Sequence, residues 1–447
     1  MSLRSYLERM EAEKEVLHIK DEVSTRFEIP FIMKKSDDEG PILLFEKIKN
    51  YKTRVVTNVC GTRGRICAAL NVDENKLYER LVEAWRSPRK PKIVKDGAVK
   101  DVVEEPDLSK IPVLRHFEKD AGRYITSAVI YAKGVDGNVE NVSIHRLQVL
   151  DKNRLAIRLV PRHLFKLWQT AKEMDRDLDI SVSIGVHPVL MLAASSPVPF
   201  GVNEFAVANS LMDDDLRLIE CENIEAYAPA EAELVLEGKI SATKEVIEGP
   251  FVDVTGTYDV ERRQPVVDVV GIMHREGYLY QALLSSGAEH RLLMGLPHEV
   301  FIWNSVSKVV PKVNAVNLST GGCGWLHAVI SIEKQLEGDG KNALLAAFAA
   351  HASLKHAVVV DSDIDVHNVS EVEWAIATRF QADEDLIIIK NVRGSTLDSS
   401  ADQETGLTTK VGVDATRPLA KPEGRFERAR IPISRRAEEL TRRLHSL

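Results

Sequence analysis

Long apolar runs are missing from this chain. No stretch reaches the roughly 18 unbroken apolar residues of a membrane span, and the opening MSLRSYLERMEAEKEV lacks the apolar segment of a signal peptide. Cysteine is scarce. The four present, Cys60, Cys67, Cys221 and Cys323, are too widely spaced for a CxxC metal site or a disulfide framework, and a reducing cytoplasmic setting is expected. A surplus of positive charge is also absent. Lys+Arg 59 against Asp+Glu 67 leaves a net charge of −8, which argues against a general nucleic-acid or polyanion binder but allows a local basic pocket. Internal repeats and low-complexity tracts are lacking as well.

What is present reads as a soluble globular enzyme: 447 residues, 44% hydrophobic and 28% charged, enough for two or three domains of roughly 100–200 residues. Leu3, Tyr6, Leu7 and Met10 at helical spacing predict an amphipathic helix over 3–13. DENKLYERLVEAW predicts a second, with Asp73 as N-cap and Leu77, Leu81, Val82 and Trp85 on one face. SPRKPKIVKDG reads as a linker or surface loop, closing an N-terminal α/β domain near residue 100. From 101 to 305 the chain is β-rich. YITSAVIYAKG, NVSIHRLQVL, NRLAIRLV, DISVSIGV and QPVVDVVGIMHREGYLYQALL are strand-like, and LDKNRL is a hairpin turn. The helices RHLFKLWQTAKEM and NEFAVANSLM interrupt them, which suggests a barrel or sandwich with inserted helices. From 306 to 447 helix and strand alternate through KNALLAAFAAHASLK, HAVVVDSDIDV, SEVEWAIATRF and DLIIIKNV, a βαβ pattern. The tail FERARIPISRRAEELTRRLHSL reads as a basic amphipathic helix suited to packing or dimer contact.

Several stretches carry polar groups where their surroundings are apolar. In NVSIHRLQVL, Asn141, Ser143, His145 and Arg146 interrupt strand formers, and His163 stands at the head of the helix after Pro161. In LMLAASSPVPFGVNEFAVANSL, residues 193–196 and two prolines read as a close-packed loop, followed by Glu204 in a helix first turn. A first-turn Glu suits the helix dipole by itself. Together, an amide oxygen, an imidazole and a carboxylate suit Mn²⁺ or Mg²⁺ better than a thiolate-preferring metal. EGPFVDVTGTY places Glu248 and Asp253 around a Gly-Pro turn. Facing one pocket beside Arg146, one acid would stay ionised and the other could donate a proton; facing water, they would merely flank a turn. Glu289, His290 and Arg291 cluster where a strand gives way to a helix, and Lys410 lies in TKVGVDATRP as a candidate phosphate ligand.

Taken in order, NVSIHR, RHL, PFGVNEFAVA, EGPFVDVTG, EHRLLMG and KVGVDAT resemble the UbiD family of reversible decarboxylases over essentially the whole chain. That resemblance implies an α/β (α+β) enzyme with a central split β-barrel domain binding prenylated FMN, flanked by an N-terminal α/β domain and a C-terminal α/β domain with a terminal helix. It implies Asn141, His163 and Glu204 as ligands of a Mn²⁺ or Mg²⁺ ion on the flavin phosphate. A K⁺ or Na⁺ would sit near Ala194 and Ser195, with Val142 and Ser143 close by. Ile144, His145, Arg146 and Arg162 complete the expected cofactor contacts, and Lys410 is expected to bind phosphate. Arg146, Glu248 and Asp253 match the catalytic network. Asp253 stands where many members have Glu, so its reach is shorter by one methylene. Val142 stands where some members have Trp.

The resemblance also implies the chemistry. The modified flavin adds to an α,β-unsaturated or aromatic acid, CO₂ leaves, and Asp253 or Glu248 supplies the proton. A flavin prenyltransferase would supply the cofactor, and a homo-oligomer (dimer or hexamer) is expected. SIHR, RLVPRHL, EKQLEGDGKNALLAAFAAH and TKVGVDATRP look most like archaeal members similar to the enzyme acting on trans-anhydromevalonate 5-phosphate. Furan or other aromatic acids are the alternative substrates. His290, Arg291, His298 and Lys308, with Glu289, are the candidate groups for a substrate phosphate or acid. A non-catalytic flavin-binding protein is the competing class; loss of Arg146, Glu248 or Asp253 would favour it, and all three are present.

Overall fold

The computed structural model describes residues 1–432 and 434–444. The helix Leu3–Ala12 buries Leu3, Tyr6, Leu7 and Met10, and a Ser2–Ser5 capping box fixes its start. It packs near a four-stranded sheet ordered Val16–Val23, Ile42–Ile48, Arg54–Thr57, Leu279–Ala282. The last of these strands comes from far along the chain and runs parallel to Arg54–Thr57.

Two local expectations need correction. Asp73 makes no side-chain cap bond; a 3₁₀ turn, Glu74–Lys76, intervenes before the helix Leu77–Arg86. SPRKPKIVKDG is not all loop, because Lys92–Val94 pairs in parallel with Arg217–Glu220.

The middle of the chain forms a nine-stranded sheet whose pairings are all antiparallel. LDKNRL is the expected hairpin, joining Leu147–Val149 to Arg154–Ile157. Its longest strand, Leu234–Glu248, spans 15 residues and was not foreseen. Its register shifts between Ile240 and Glu245, so inside/outside alternation breaks where SATKE passes. The stretch expected as a close-packed loop from residue 193 takes its first two residues from the end of a helix, Pro188–Ala194, all seven residues of which are buried. A helix buried all round has no polar face, so periodicity cannot reveal it.

The C-terminal sheet is ordered Val313–Leu318, His327–Ile332, His356–Asp361, Leu407–Ala415, Leu386–Arg393. Its three inner strands are parallel, and the helices Asp339–Ala350 and Val369–Arg379 supply the crossovers. The tail forms the helix Arg435–Leu444; residues 433 and 445–447 of that stretch lie outside the described residues. No helix among the described residues is long and apolar enough to cross a membrane.

Helix Ala288–Val306 is fastened to the N-terminal sheet by one buried acid. Glu289 accepts hydrogen bonds from the backbone N–H of Cys60 at 2.7 Å and Asn58 at 3.1 Å. Burial raises its carboxyl to about 7 despite those bonds. The folded state therefore holds this proton more tightly than the unfolded chain does. The stabilising contribution is full below the ordinary carboxylate range and is lost as pH rises through about 7, by on the order of 3 kcal/mol. Glu289→Gln should flatten the decline in melting temperature between about pH 5 and pH 8. Melts across that range check this, and an unchanged slope would contradict it.

Candidate active site

The long strand delivers Glu248 at its last residue, fully buried. Gly249 then takes φ 94°, a conformation that glycine adopts without steric penalty. Phe251–Val252 pairs back on Tyr258–Asp259. Asp253 closes the tip, its N–H donating to Thr257 O at 3.1 Å and its carbonyl accepting from Gly256 N–H at 2.9 Å. EGPFVDVTGTY with the following Asp259 is thus a tight hairpin that returns three acids to one place.

That place is Arg146, just past the strand Glu140–Ile144. Its Nε and Nη2 donate to Glu248 Oε1 and Oε2, both at 2.9 Å. Nη1 reaches Asp253 Oδ2 at 3.4 Å, and Nη2 reaches Asp259 Oδ2 at 3.0 Å. Arg158 and Arg262 contact Asp259 at 3.3 and 3.5 Å. Burial works against the Asp259 charge, but the three guanidiniums outweigh it and hold its pKa below the usual range. Arg146 also lies 5.1 Å over the Phe251 ring, which packs on Tyr124 at 4.1 Å. Tyr124 OH donates to Gln148 Oε1, which also accepts from Gly249 N–H.

Asp259, Arg158, Phe251 and Tyr124 were not anticipated. Two-residue strands carry no readable pattern, so the pairing of Phe251 with Asp259 was invisible in sequence. The spacing of Asp259 from Asp253 across TGT, a turn, was the only available signal.

A second cluster lies at the other end of the same strand. Asn141 Nδ2 donates to Glu204 Oε1 at 3.0 Å, and Val142 N–H donates to Glu204 Oε2 at 2.6 Å. Ser143 Oγ bonds Asn141 Oδ1 at 3.1 Å and His145 Nε2 at 3.0 Å; His145 Nδ1 faces Arg158 O. Desolvation keeps His145 neutral, near 4. Ile144 packs at the edge of the core. Asn203 caps helix Glu204–Leu211 and bonds Glu140, so Glu204 is fixed in the first turn. No ion pair reaches Glu204 among the described residues, and burial lifts its carboxyl to about 8.

His163 opens helix His163–Glu173 as expected, but its ring packs against Phe200 at 5.3 Å. It is not hydrogen-bonded to Asn141 or Glu204. Among the described residues no three His, Cys, Asp or Glu side chains gather as a metal site. The donor chemistry nevertheless fits a hard cation. A buried, uncompensated carboxylate beside an amide oxygen would be stabilised by a divalent ion. Ala194 ends its helix, and Ser195 Oγ turns back to Leu192 O.

The remaining candidates separate. Lys410 is buried on strand Leu407–Ala415, donating to Ala352 O at 2.6 Å and Leu354 O at 2.7 Å; desolvation lowers it to about 8. Glu289 is taken by the two backbone amides. Arg291 is taken by Asp38 at 2.9 Å and Ser286 O at 2.6 Å. Lys308 is exposed beyond its helix. His298 is buried and neutral, its ring 4.6 Å from Trp325 and 4.5 Å from His351. His290 stays beside the Arg146 cluster: Nδ1 accepts from Ser286 N–H at 3.1 Å, and the Asp253 charge acts on its ring against the effect of burial. Arg162 is exposed and forms no side-chain hydrogen bond or ion pair among the described residues. Its charge reaches both His298 and His351.

Comparison with known proteins agrees with this geometry. The chain matches the N-terminal, Rift-related and C-terminal domain models of 3-octaprenyl-4-hydroxybenzoate carboxy-lyase over residues 7–85, 92–288 and 291–415. It is 44% identical over 426 residues to the anhydromevalonate phosphate decarboxylase of Methanothermobacter thermautotrophicus, covering 95% of this chain and 99% of that one. It superposes on the UbiD-class enzyme HmfF from Pelotomaculum thermopropionicum in complex with FMN with TM-score 0.94, at 41% identity, covering 97% of this chain and 98% of that one. An evolved dimeric form of HmfF in complex with prFMN gives TM-score 0.90 at 39% identity, over 96% and 97% of the two chains. From its first helix to its C-terminal sheet, the chain belongs to the UbiD family of carboxy-lyases.

Proposed function

We propose that this enzyme is a reversible, prenylated-FMN-dependent decarboxylase whose substrate is trans-anhydromevalonate 5-phosphate. The observation that carries the reaction class is the buried Arg146–Glu248 pair with Asp253 and Asp259 on the same guanidinium. The relative named anhydromevalonate phosphate decarboxylase supports the substrate. Asn141, Glu204 and His163 would hold a Mn²⁺ or Mg²⁺ on the flavin phosphate, with K⁺ or Na⁺ near Ala194 and Ser195. A separate flavin prenyltransferase would supply the cofactor.

When bound, the prenylated flavin supplies the electron sink for breaking the C–CO₂ bond. The chain supplies position and protons. Arg146 orients the carboxyl group and fixes the acids. Glu248, fully buried and doubly bonded to Arg146, stays as the anchor. Asp253 is 24% exposed and meets Arg146 by a single 3.4 Å contact, its other oxygen accepting only from Val254 N–H among the described residues, so it is the acid free to pass a proton to the carbon that loses CO₂.

A substrate phosphate needs a cation that is not already paired. The expected groups Arg291 and Lys308 do not suit, one because it is engaged and the other because it lies beyond its helix. Arg393 and Arg162, the latter expected above among the cofactor contacts and reassigned here, are the better pair. Neither forms an ion pair among the described residues, and the charge of Arg393 acts unfavourably on Arg162. A phosphate dianion between them would relieve that repulsion.

Three outcomes test the reading. Asp253→Asn should cut turnover by roughly 10²–10⁴ with flavin content unchanged; turnover equal to the parent would remove the proton-donor role. Glu204→Ala should lose metal and flavin together, measured by metal analysis and flavin absorbance. The phosphorylated acid should release CO₂ while its dephosphorylated form reacts poorly, and Arg162→Gln or Arg393→Gln should narrow that difference. Efficient turnover of furan acids, with none of the phosphorylated acid, would move the function to the aromatic-acid alternative.

A further inference from the structure

Behind the acid hairpin lies a second buried carboxylate that the mechanism does not use. Asp120 is 1% exposed. Its Oδ2 accepts the N–H groups of Phe117 at 2.8 Å and His116 at 3.2 Å. The N–H of Val252 also acts on the carboxylate, although Oδ1 makes no full hydrogen bond. No ion pair reaches it among the described residues; Arg115 donates instead to the backbone carbonyls of Glu118 and Asp120.

The turn that Asp120 closes grips the hairpin at several points. Ala121 N–H donates to Pro250 O at 3.0 Å, and Lys119 N–H donates to Tyr258 Oη at 3.1 Å. The His116 ring stands edge-on to Phe251 at 6.2 Å, and Phe251 lies beneath Arg146. On its far side the turn is tied to the N-terminal segment, with Arg115 N–H donating to Thr25 O at 3.1 Å and Phe27 N–H donating to Arg115 O at 3.2 Å. The hairpin therefore rests on a turn shaped by one carboxylate.

We propose that Asp120 is a positioning residue for the reaction, holding residues 249–253 so that Glu248 and Asp253 meet Arg146. It touches no reacting atom and acts through the 116–121 turn. Burying an acid with no ion-pair partner is unfavourable for the fold, and burial raises this carboxyl to about 6 although the backbone N–H groups and the Arg115 charge oppose it. A residue that weakens the fold while organising a reactive loop is placed for function rather than stability.

The kinetic part of this inference rests on the decarboxylase reading. The test separates the two. Asp120→Asn removes the buried charge but puts an amide N–H₂ among N–H donors. Its melting temperature near neutral pH should hold or rise. Turnover should fall roughly tenfold to a hundredfold, the effect of displacing reactive groups by about an ångström, with KM and flavin content unchanged. Asp120→Ala should fall further. Adding Asp253→Asn to either variant should cost less than the two single effects combined, because both act on one loop. Hydrogen–deuterium exchange over 248–258 needs no substrate and should quicken in both variants, with the rest of the chain unaltered. Stability and turnover falling together, or parental turnover, would overturn the proposal. Were no acid decarboxylated by the parent, the functional reading would fail, and exchange alone would decide: faster exchange over 248–258 supports Asp120's role, and unchanged exchange overturns it.

Discussion

The structure turns on one buried guanidinium. Removing an ion from water costs several kcal/mol even after relaxation, and a buried pair broken on one side costs about 3–5 kcal/mol. Arg146 therefore constrains everything near it. Glu248 must come to it bidentate, so the long strand must end where it does. Asp259 must return to it, so the hairpin must be tight, with glycine at its first bend. Asp259 then draws in Arg158 and Arg262, and the group closes at three guanidiniums and three carboxylates. A neutral ensemble of this kind tolerates burial that no member would tolerate alone.

Elsewhere the same constraint is met differently. Histidines 145 and 298 lose their charge to burial. Glu204 has no cation paired with it among the described residues, and burial raises its carboxyl to about 8, so without one it holds its proton at neutral pH. The contrast between Glu204 and Glu248 separates two uses of a buried acid. Glu248 has its counter-charge built into the chain. Glu204 lacks one, and its surroundings of amide and hydroxyl oxygens are those a hard cation accepts.

How much of this could be read beforehand depended on what each feature looks like in one dimension. The helix Leu3–Ala12 and the strand around Asn141 to Arg146 show themselves through period and through polar residues among strand formers. The helix Pro188–Ala194 shows nothing, being apolar on every side. The strand Leu234–Glu248 hides behind a register shift. The acids of EGPFVDVTGTY were visible as an anomaly, but their convergence on Arg146, 102 residues before Glu248 in the chain, was legible only through family resemblance. Asp259 and Asp120 escaped both routes. Each is an ordinary polar residue in a turn until the fold buries it. In the basic group expected at His290, Arg291 and His298, Arg291 is engaged by Asp38 and Ser286 O, and the His298 ring packs against Trp325 and His351, partners that adjacency in sequence does not show.

The shorter acid at 253 fits this geometry. Glu248 already saturates one edge of Arg146 with two 2.9 Å bonds, and Asp259 takes a third at 3.0 Å. Those three bonds use Nε–H and both N–H groups of Nη2, and Asp253 meets the remaining Nη1 only at 3.4 Å. Its other oxygen is held by Val254 N–H at 2.7 Å. A carboxylate steered by its own backbone and loosely held by the guanidinium can turn without breaking the cluster, whereas moving Glu248 would strand a buried charge. A longer side chain at 253 would reach the Nη1 donors more closely and be held there more tightly. Held at the rim, Asp253 is oriented by its own backbone without being locked to the guanidinium, which is the arrangement the proposed proton donor needs.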